Sequence, residues 1–248
     1  MIEGTQEITF NGNVLSGFGC IITEPPKRPF PKRRYEKKPV YGRNGDLLID
    51  SGAYDNIKLV YKVATIPGLY GENTVHEMLT QLKAAFCTSA GYVRLYDTEL
   101  PGGFYWAFCA GISDAVCVFD EMYEFNITFD CKPFFCFTSG MVTTEYAISE
   151  GHSSVLLNNP GTLPAKPMIT LYGNGSISCQ IGGKSFTVED VSVKVTVDCE
   201  KMLVYKGAVN KADDFSGDYL EIPTGQNMVG FSGSGLTSVK IMPRWCRL

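Results

Sequence analysis

Met122-Tyr123-Glu124-Phe125-Asn126-Ile127-Thr128-Phe129-Asp130-Cys131-Lys132 alternates from end to end. Tyr123, Phe125, Ile127, Phe129 and Cys131 fall on one side, and Met122, Glu124, Asn126, Thr128, Asp130 and Lys132 on the other. Successive side chains of a strand face opposite sides of its sheet, so this period of two predicts a strand with one face on a core. Similar signals flank it. In Ile57 to Thr65, Ile57, Leu59 and Tyr61 oppose Lys58, Val60 and Lys62. Tyr92–Tyr96 and Phe104–Ala110 read as strands joined through Pro101-Gly102-Gly103. Ile8-Thr9-Phe10, Asn11-Gly12, Asn13-Val14-Leu15 reads as a tight hairpin, because Asn-Gly accepts the positive φ angles of a type I′ turn. One helix stands out. Thr74 and Glu77 have capping-box spacing, and Val75, Met78, Leu79, Leu82, Ala85 and Phe86 then share a face, with Gly91 closing the segment.

From Phe137 to Pro167 the texture changes to Gly, Ser, Thr, Asn and Pro, with Asn158-Asn159-Pro160-Gly161 as the strongest loop marker. A domain boundary is expected within it. Beyond it come short strands: Met168–Tyr172, Ser176–Ile181, Ser185–Glu189, Val191–Val197, Met202–Tyr205 and Asn227–Phe231, with Gly182-Gly183 as a hairpin turn. Val191, Val193, Val195 and Val197 alternate with Ser192, Lys194, Thr196 and Asp198. Closely spaced strands with no helix between them predict an antiparallel β-sandwich.

The chain has 248 residues, room for one large or two modest domains. It has no run of about 18 apolar residues to cross a membrane as a helix, and the segment from Met1 to Phe10 has no apolar core of a secretion signal. Nine cysteines (Cys20, Cys87, Cys109, Cys117, Cys131, Cys136, Cys179, Cys199 and Cys246) are widely spaced, with no Cys-x-x-Cys. Zinc is therefore not expected, and reduced, buried thiols in a chain folded in a cytoplasm are. Without a secretion signal, Asn126-Ile127-Thr128 and Asn174-Gly175-Ser176 read as chance matches to the glycan acceptor pattern.

Catalytic signals are absent. His76 and His152 have no local nucleophile motif. Asp46, Asp50 and Asp55 miss calcium-loop spacing and suit turn capping. Gly173-Asn174-Gly175 and Gly233-Ser234-Gly235 lack the following helix or lysine of a phosphate cradle. No catalytic residue, cofactor or metal site is assigned.

Charge is segregated, however. Between Pro25 and Arg43, Lys27, Arg28, Lys32, Arg33, Arg34, Lys37, Lys38 and Arg43 face a single acid, Glu36. This segment carries +7 in a chain of net −4, leaving −11 elsewhere. Pro25, Pro26, Pro29, Pro31 and Pro39 exclude helix and disfavour a central strand. The segment is an extended, stiff basic arm on an acidic body; those eight cations form the candidate subunit or partner interface, and the alternative is a solvated loop. Nucleic acid is disfavoured by the acidic whole and by the few interleaved aromatics, Phe30, Tyr35 and Tyr41.

Together these segments resemble the distal tail protein (Dit) family of long, non-contractile-tailed bacteriophages and prophages. The resemblance is carried by Phe10-Asn11-Gly12 with Phe18-Gly19; by Gly42-Arg43-Asn44-Gly45-Asp46-Leu47-Leu48-Ile49-Asp50-Ser51-Gly52 and Tyr54; and by Gly91-Tyr92-Val93-Arg94-Leu95-Tyr96-Asp97 and Cys131-Lys132-Pro133. It continues through Asn159-Pro160-Gly161-Thr162, Ala165, Pro167, Asp198, Tyr205, Leu220, Ile222, Gly225, Asn227 and Pro243-Arg244-Trp245. It implies a mainly β chain: an N-terminal ring-forming belt domain over 1–137, with one α-helix and a long hairpin arm at 25–43, and a C-terminal galectin-like antiparallel β-sandwich over 138–248. The segment 241–248 either closes the sandwich or returns to the first domain. The resemblance further implies a structural, non-enzymatic virion protein. It would be a homo-hexameric hub ring at the tail tip, assembled in the host bacterial cytoplasm. The ring would join the tail tube to the baseplate and contact the tube, the tape-measure protein, the tail-associated tip protein and, in some phages, the receptor-binding proteins. DNA would pass through its channel without specific binding, and no membrane is involved. The alternative is a carbohydrate-binding module for host adhesion, with Tyr172, Tyr205 or Tyr219 as stacking platforms. Trp245 is the one tryptophan in the C-terminal half, which weakens that idea, and a cell-wall hydrolase lacks its paired acids.

Overall fold

The computed structural model of the chain describes residues 6–68, 74–119, 122–149 and 153–248. The chain divides into two compact units, one running to Phe135 and including Leu248, the other Cys136–Arg247. It is mostly antiparallel β, with one α-helix among the described residues.

The first unit is built on a sheet in the order Asn13–Val14, Ile8–Phe10, Val93–Asp97, Gly103–Ile112, Met122–Phe137, Ile57–Thr65, Cys20–Glu24. The predicted alternation is observed: Phe125, Ile127, Phe129 and Cys131 are buried and lie opposite Val63, Tyr61, Leu59 and Ile57, themselves buried. Asn11 and Gly12 take φ of 50° and 79°, which closes the first hairpin. The helix spans Val75–Phe86. The Thr74 side chain accepts from the Glu77 amide, and Glu77 accepts from the Thr74 amide, which completes the capping box. Met78, Leu82 and Phe86 are its buried stripe. They share a core with Phe10, Tyr61 and Phe129, where the rings of Phe10 and Phe129 lie 4.9 Å apart. The helix ends at Phe86, before the expected stop at Gly91.

The second unit is a sandwich in which two long strands, Met168–Ile181 and Lys184–Asp198, run through both layers. The short strands expected as separate pieces are joined. Residues 168–173 pair with Leu236–Met242, whereas 178–181 pair with Gly225–Ser232. Likewise, 186–188 pair with Phe215–Gly217 and 196–198 with Leu203–Lys206. The partner exchange occurs at a register shift between Gly175 and Ile177, where the local bend of a bulge re-aims the strand. This bend corrects one expectation. Val191, Val195 and Val197 are buried, but Val193 sits at φ 67° and is 66% exposed, because the alternation breaks where the strand turns.

Ile169, Leu171, Val197 and Ile241 meet Ile177, Cys179, Phe186 and Val229 in the core. Trp245 is buried there too. The Phe137 amide donates to the Trp245 carbonyl at 3.0 Å and the Arg244 amide to the Gly140 carbonyl at 2.7 Å. A Cβ on Gly140 would collide with the Trp245 backbone, and one on Gly161 with the Cys246 carbonyl, so both glycines make room for this last segment. Arg244 grips Asp198 through Nη1 and Nη2, which donate to its two carboxylate oxygens at 2.6 and 2.9 Å. Burial opposes ionisation of Asp198, but Arg244 and the Lys201 and Glu200 amides outweigh it and hold the carboxyl below its ordinary range.

Candidate interaction surface

The basic run forms the first half of a two-stranded hairpin. Arg33–Pro39 pairs with Asp46–Tyr54, so that Tyr35 faces Asp50, Lys37 faces Leu48 and Lys38 faces Leu47. Pro39 is accommodated because neither strand has an outer neighbour among the described residues to demand its missing amide. The link between the strands turns at Gly42 and Gly45, with φ of 74° and 84°, and the Arg43 amide bonds the Val40 carbonyl at 3.2 Å. At the base, the Asp55 amide bonds the Lys32 carbonyl at 2.8 Å, and Tyr54 packs edge-on against Phe134 with centroids 5.3 Å apart.

Every residue of Arg33–Pro39 is exposed, as is most of the returning strand. Leu47, Leu48 and Ile49 are consecutive, so they place aliphatic groups on both faces. They are 41%, 53% and 39% exposed, and Tyr35 is 51% exposed. Phe30 and Tyr41 are more exposed still.

The eight sequence-predicted cations divide into two groups. Arg28 turns inward to Asp97 at 2.9 Å and Glu99 at 3.0 Å. Asp97 is itself buried, accepting from Tyr61 Oη at 2.8 Å and from Gln6 Nε2 at 2.9 Å. Partial burial works against the Arg28 guanidinium, but its bonds to Glu99 and Asp97 prevail and raise its pKa. Arg33 pairs with Asp50, Arg34 with Asp55, and Lys38 with Glu36. The Gly52 amide, helped by Arg33, lowers the Asp50 pKa. Lys27, Lys32, Lys37 and Arg43 form no ion pair with the described residues. Lys27 lines a cleft of about 350 Å³ with Lys58, Lys62, Glu24 and Val60.

The complete hairpin, residues 25–55, thus holds eight cations and four acids, a net of +4. Bounding the arm at Arg43 left out Asp46, Asp50 and Asp55, as well as Leu47, Leu48 and Ile49. The signal for these was the Asn44-Gly45-Asp46 turn followed by an apolar triplet. Asp50 does cap a turn, accepting from the Gly52 amide at 2.9 Å, and it also serves as the counterion of Arg33.

Other residues weighed from sequence are placed as follows. His76 is exposed on the helix, where its carbonyl accepts from Thr80; His152 lies outside the described residues. Tyr219 stacks on Phe215 with centroids 4.7 Å apart, Tyr205 Oη meets the Met168 sulfur, and Lys240 lies 5.0 Å from the Tyr172 ring centre. Five cysteines are buried, namely Cys20, Cys131, Cys136, Cys179 and Cys199, and Cys109 and Cys246 are half-buried. Cys87 and Cys117 are exposed, against the expectation that the thiols are buried.

No sequence family and no curated protein sequence match the chain. Among solved structures, it is similar to the Dit protein (gp 19.1) of phage SPP1, with a TM-score of 0.69 over 95% of this chain and 97% of that one. The fold is Dit-like. The SPP1 protein is described as a paradigm of the hub adsorption apparatus in phages that infect Gram-positive bacteria. Identity is 12%, so the likeness lies in the path of the backbone. The Dit-like path spans both units.

Proposed function

We propose that this protein is a structural component of a phage tail tip: a hub in which six copies close a ring between the tail tube and the baseplate. Its arm seats each copy on the next. The observation that carries this reading is the hairpin on a Dit-like chain. An isolated two-stranded hairpin is marginal in water, and exposed aliphatic strands are sites of association. Tyr35, Leu47, Leu48 and Ile49 therefore call for a covering surface, and Lys32, Lys37 and Arg43 call for acids on it. A ring needs two different patches on each subunit. A basic, partly apolar arm and an acidic body supply such a pair. In this reading the N-terminal unit is the belt and the sandwich is the galectin-like half. DNA passes through the central channel without being read, and the tube, tape-measure and tip proteins dock on the ring.

The test is light scattering and negative-stain imaging of purified protein at low and high salt. Six-fold rings that loosen with salt are the expected result. Lys37→Glu with Arg43→Glu is the informative variant, because neither residue has a counterion among the described residues. Arg33→Glu and Arg34→Glu would also break pairs inside the hairpin itself. Rings of unchanged salt sensitivity in the Lys37/Arg43 variant would remove the arm from the interface. A protein that stays monomeric in the presence of its tail partners would remove the ring.

A further inference from the structure

Four of the nine cysteines stand in two sulfur-to-sulfur contacts. Cys87 Sγ lies 3.2 Å from Cys109 Sγ, and Cys136 Sγ lies 2.9 Å from Cys246 Sγ. A covalent S–S bond is about 2.05 Å long, so each pair lies roughly 1 Å from bonding distance. The backbone sets up both meetings. Cys87 caps the helix, its amide bonded to the Lys83 carbonyl at 2.8 Å, and Cys109 lies in the strand Gly103–Ile112. The Phe137 amide bonds the Trp245 carbonyl, which sets the adjoining residues Cys136 and Cys246 across from each other. Cys20, Cys131, Cys179 and Cys199 are instead buried in the two cores.

We propose that the chain carries two latent disulfides, Cys87–Cys109 and Cys136–Cys246, which close when the protein meets an oxidising medium. This inference is independent of the tail-tip reading. The oxidant class is a small-molecule disulfide, for example oxidised glutathione. The exposed Cys87 thiolate attacks one of its sulfurs and expels a first thiolate, giving a mixed disulfide. Cys109, deprotonated, attacks the Cys87 sulfur and expels the second thiolate. Two protein thiols lose two electrons and two protons, and the external disulfide gains them as two thiols. Cys246 and Cys136 react by the same exchange. The first bridge spans 22 residues of chain and ties the helix end to the sheet; the second spans 110 and pins the last segment to the start of the sandwich. The thiolate is the reacting form. Burial, together with the Cys87 contact, pushes Cys109 up to about 12, so closure accelerates with pH.

The experiment uses the full chain carrying Cys117→Ser, which removes the exposed sulfur outside the two pairs. Reduced protein is incubated with oxidised glutathione, denatured without reductant, alkylated with iodoacetamide and weighed intact; bridges are located by non-reducing peptide mapping. Eight adducts before oxidation and four after, with bridges at 87–109 and 136–246, are expected. Oxidation should raise the melting temperature of the second unit by on the order of 10 °C. The rise should vanish in Cys246→Ser and equally in Cys136→Ser, so a folding defect in one leaves the other as a control. Eight adducts after oxidation, bridges between other cysteines, or glutathione retained on Cys87 with Cys109 alkylated would overturn the proposal. A pair that remains alkylated at equilibrium is overturned for that pair.

Discussion

Asp97 is a buried carboxylate whose cation lies 69 residues away in sequence. Arg28, the Tyr61 hydroxyl and the Gln6 amide converge on it. Removing one partner of a buried ion pair strands the other without water, which costs more than the intact pair contributes. Arg28→Ala should therefore destabilise the first unit by on the order of 3 kcal/mol. Calorimetry would show it as a lowered transition of that unit, with the second unit unmoved. Asp198 gives the matching residue-scale case in the sandwich, and there the prediction concerns pH. Its folded pKa lies below its unfolded value of about 3.9. The stability it lends is thus fully present above that value and is lost as pH falls through the folded one. Melting temperature followed from about pH 5 to pH 2 should fall more steeply for the native chain than for Asp198→Asn, which has no such proton to take up. Parallel curves would mean that Arg244 and Asp198 are not coupled as their geometry indicates.

Among the elements, the helix and the crossing strands of the sandwich are determined in different ways. The helix carries its start in its own sequence: Thr74→Ala removes the acceptor for the Glu77 amide and should cost about 1 kcal/mol, measurable by denaturant titration. The sandwich strands depend on close backbone approach. A side chain on Gly235 would run into the Asn174 carbonyl, whereas one on Gly230 would meet nothing nearer than 4.0 Å. Gly235→Ala should therefore unfold or severely weaken the second unit, while Gly230→Ala should leave its melting temperature nearly unchanged. The hairpin arm differs from both. Both its faces are exposed, and its internal ion pairs lie in water, where such pairs contribute little. Its apolar residues thus have more to gain from a partner than from their own chain.

At the scale of the whole molecule, charge is segregated between the arm and the rest of the chain. The complete arm is +4 and the remainder −8, within a chain of −4. Attraction between exposed charges is screened over about 8–10 Å at ordinary salt. Assembly through the arm should therefore weaken with salt but not vanish, because Leu47, Leu48 and Ile49 contribute an apolar share that salt does not screen. Replacing Leu48 with Ser should lower the ring fraction at every salt concentration, and Lys37→Glu with Arg43→Glu should lower it mainly at low salt. Light scattering across a salt series separates the two. A Leu48→Ser protein with an unchanged ring fraction would reduce the contact to charge alone.

What the sequence determined by itself was whatever depends on near neighbours. The period of two in Met122–Lys132, the capping box at Thr74 and the Asn11-Gly12 turn are local, and each is found where it was read. The mainly β class followed from them. What the tertiary structure decided was every outcome that needs distant residues to meet. Val193 alternates correctly in sequence yet faces solvent, because the strand bends where it changes partner. Arg28 belongs by sequence to a basic run, yet it answers a buried carboxylate 69 residues away. Arg33 and Arg34 looked free for a partner until the returning strand brought Asp50 and Asp55 beside them. The sulfurs of Cys136 and Cys246, 110 residues apart, meet only because the last strand, Cys246–Arg247, pairs with the end of Met122–Phe137. Periodicity records which face a residue occupies. It does not record which charge or which sulfur will lie opposite, since that depends on register and on the path of the chain through both layers.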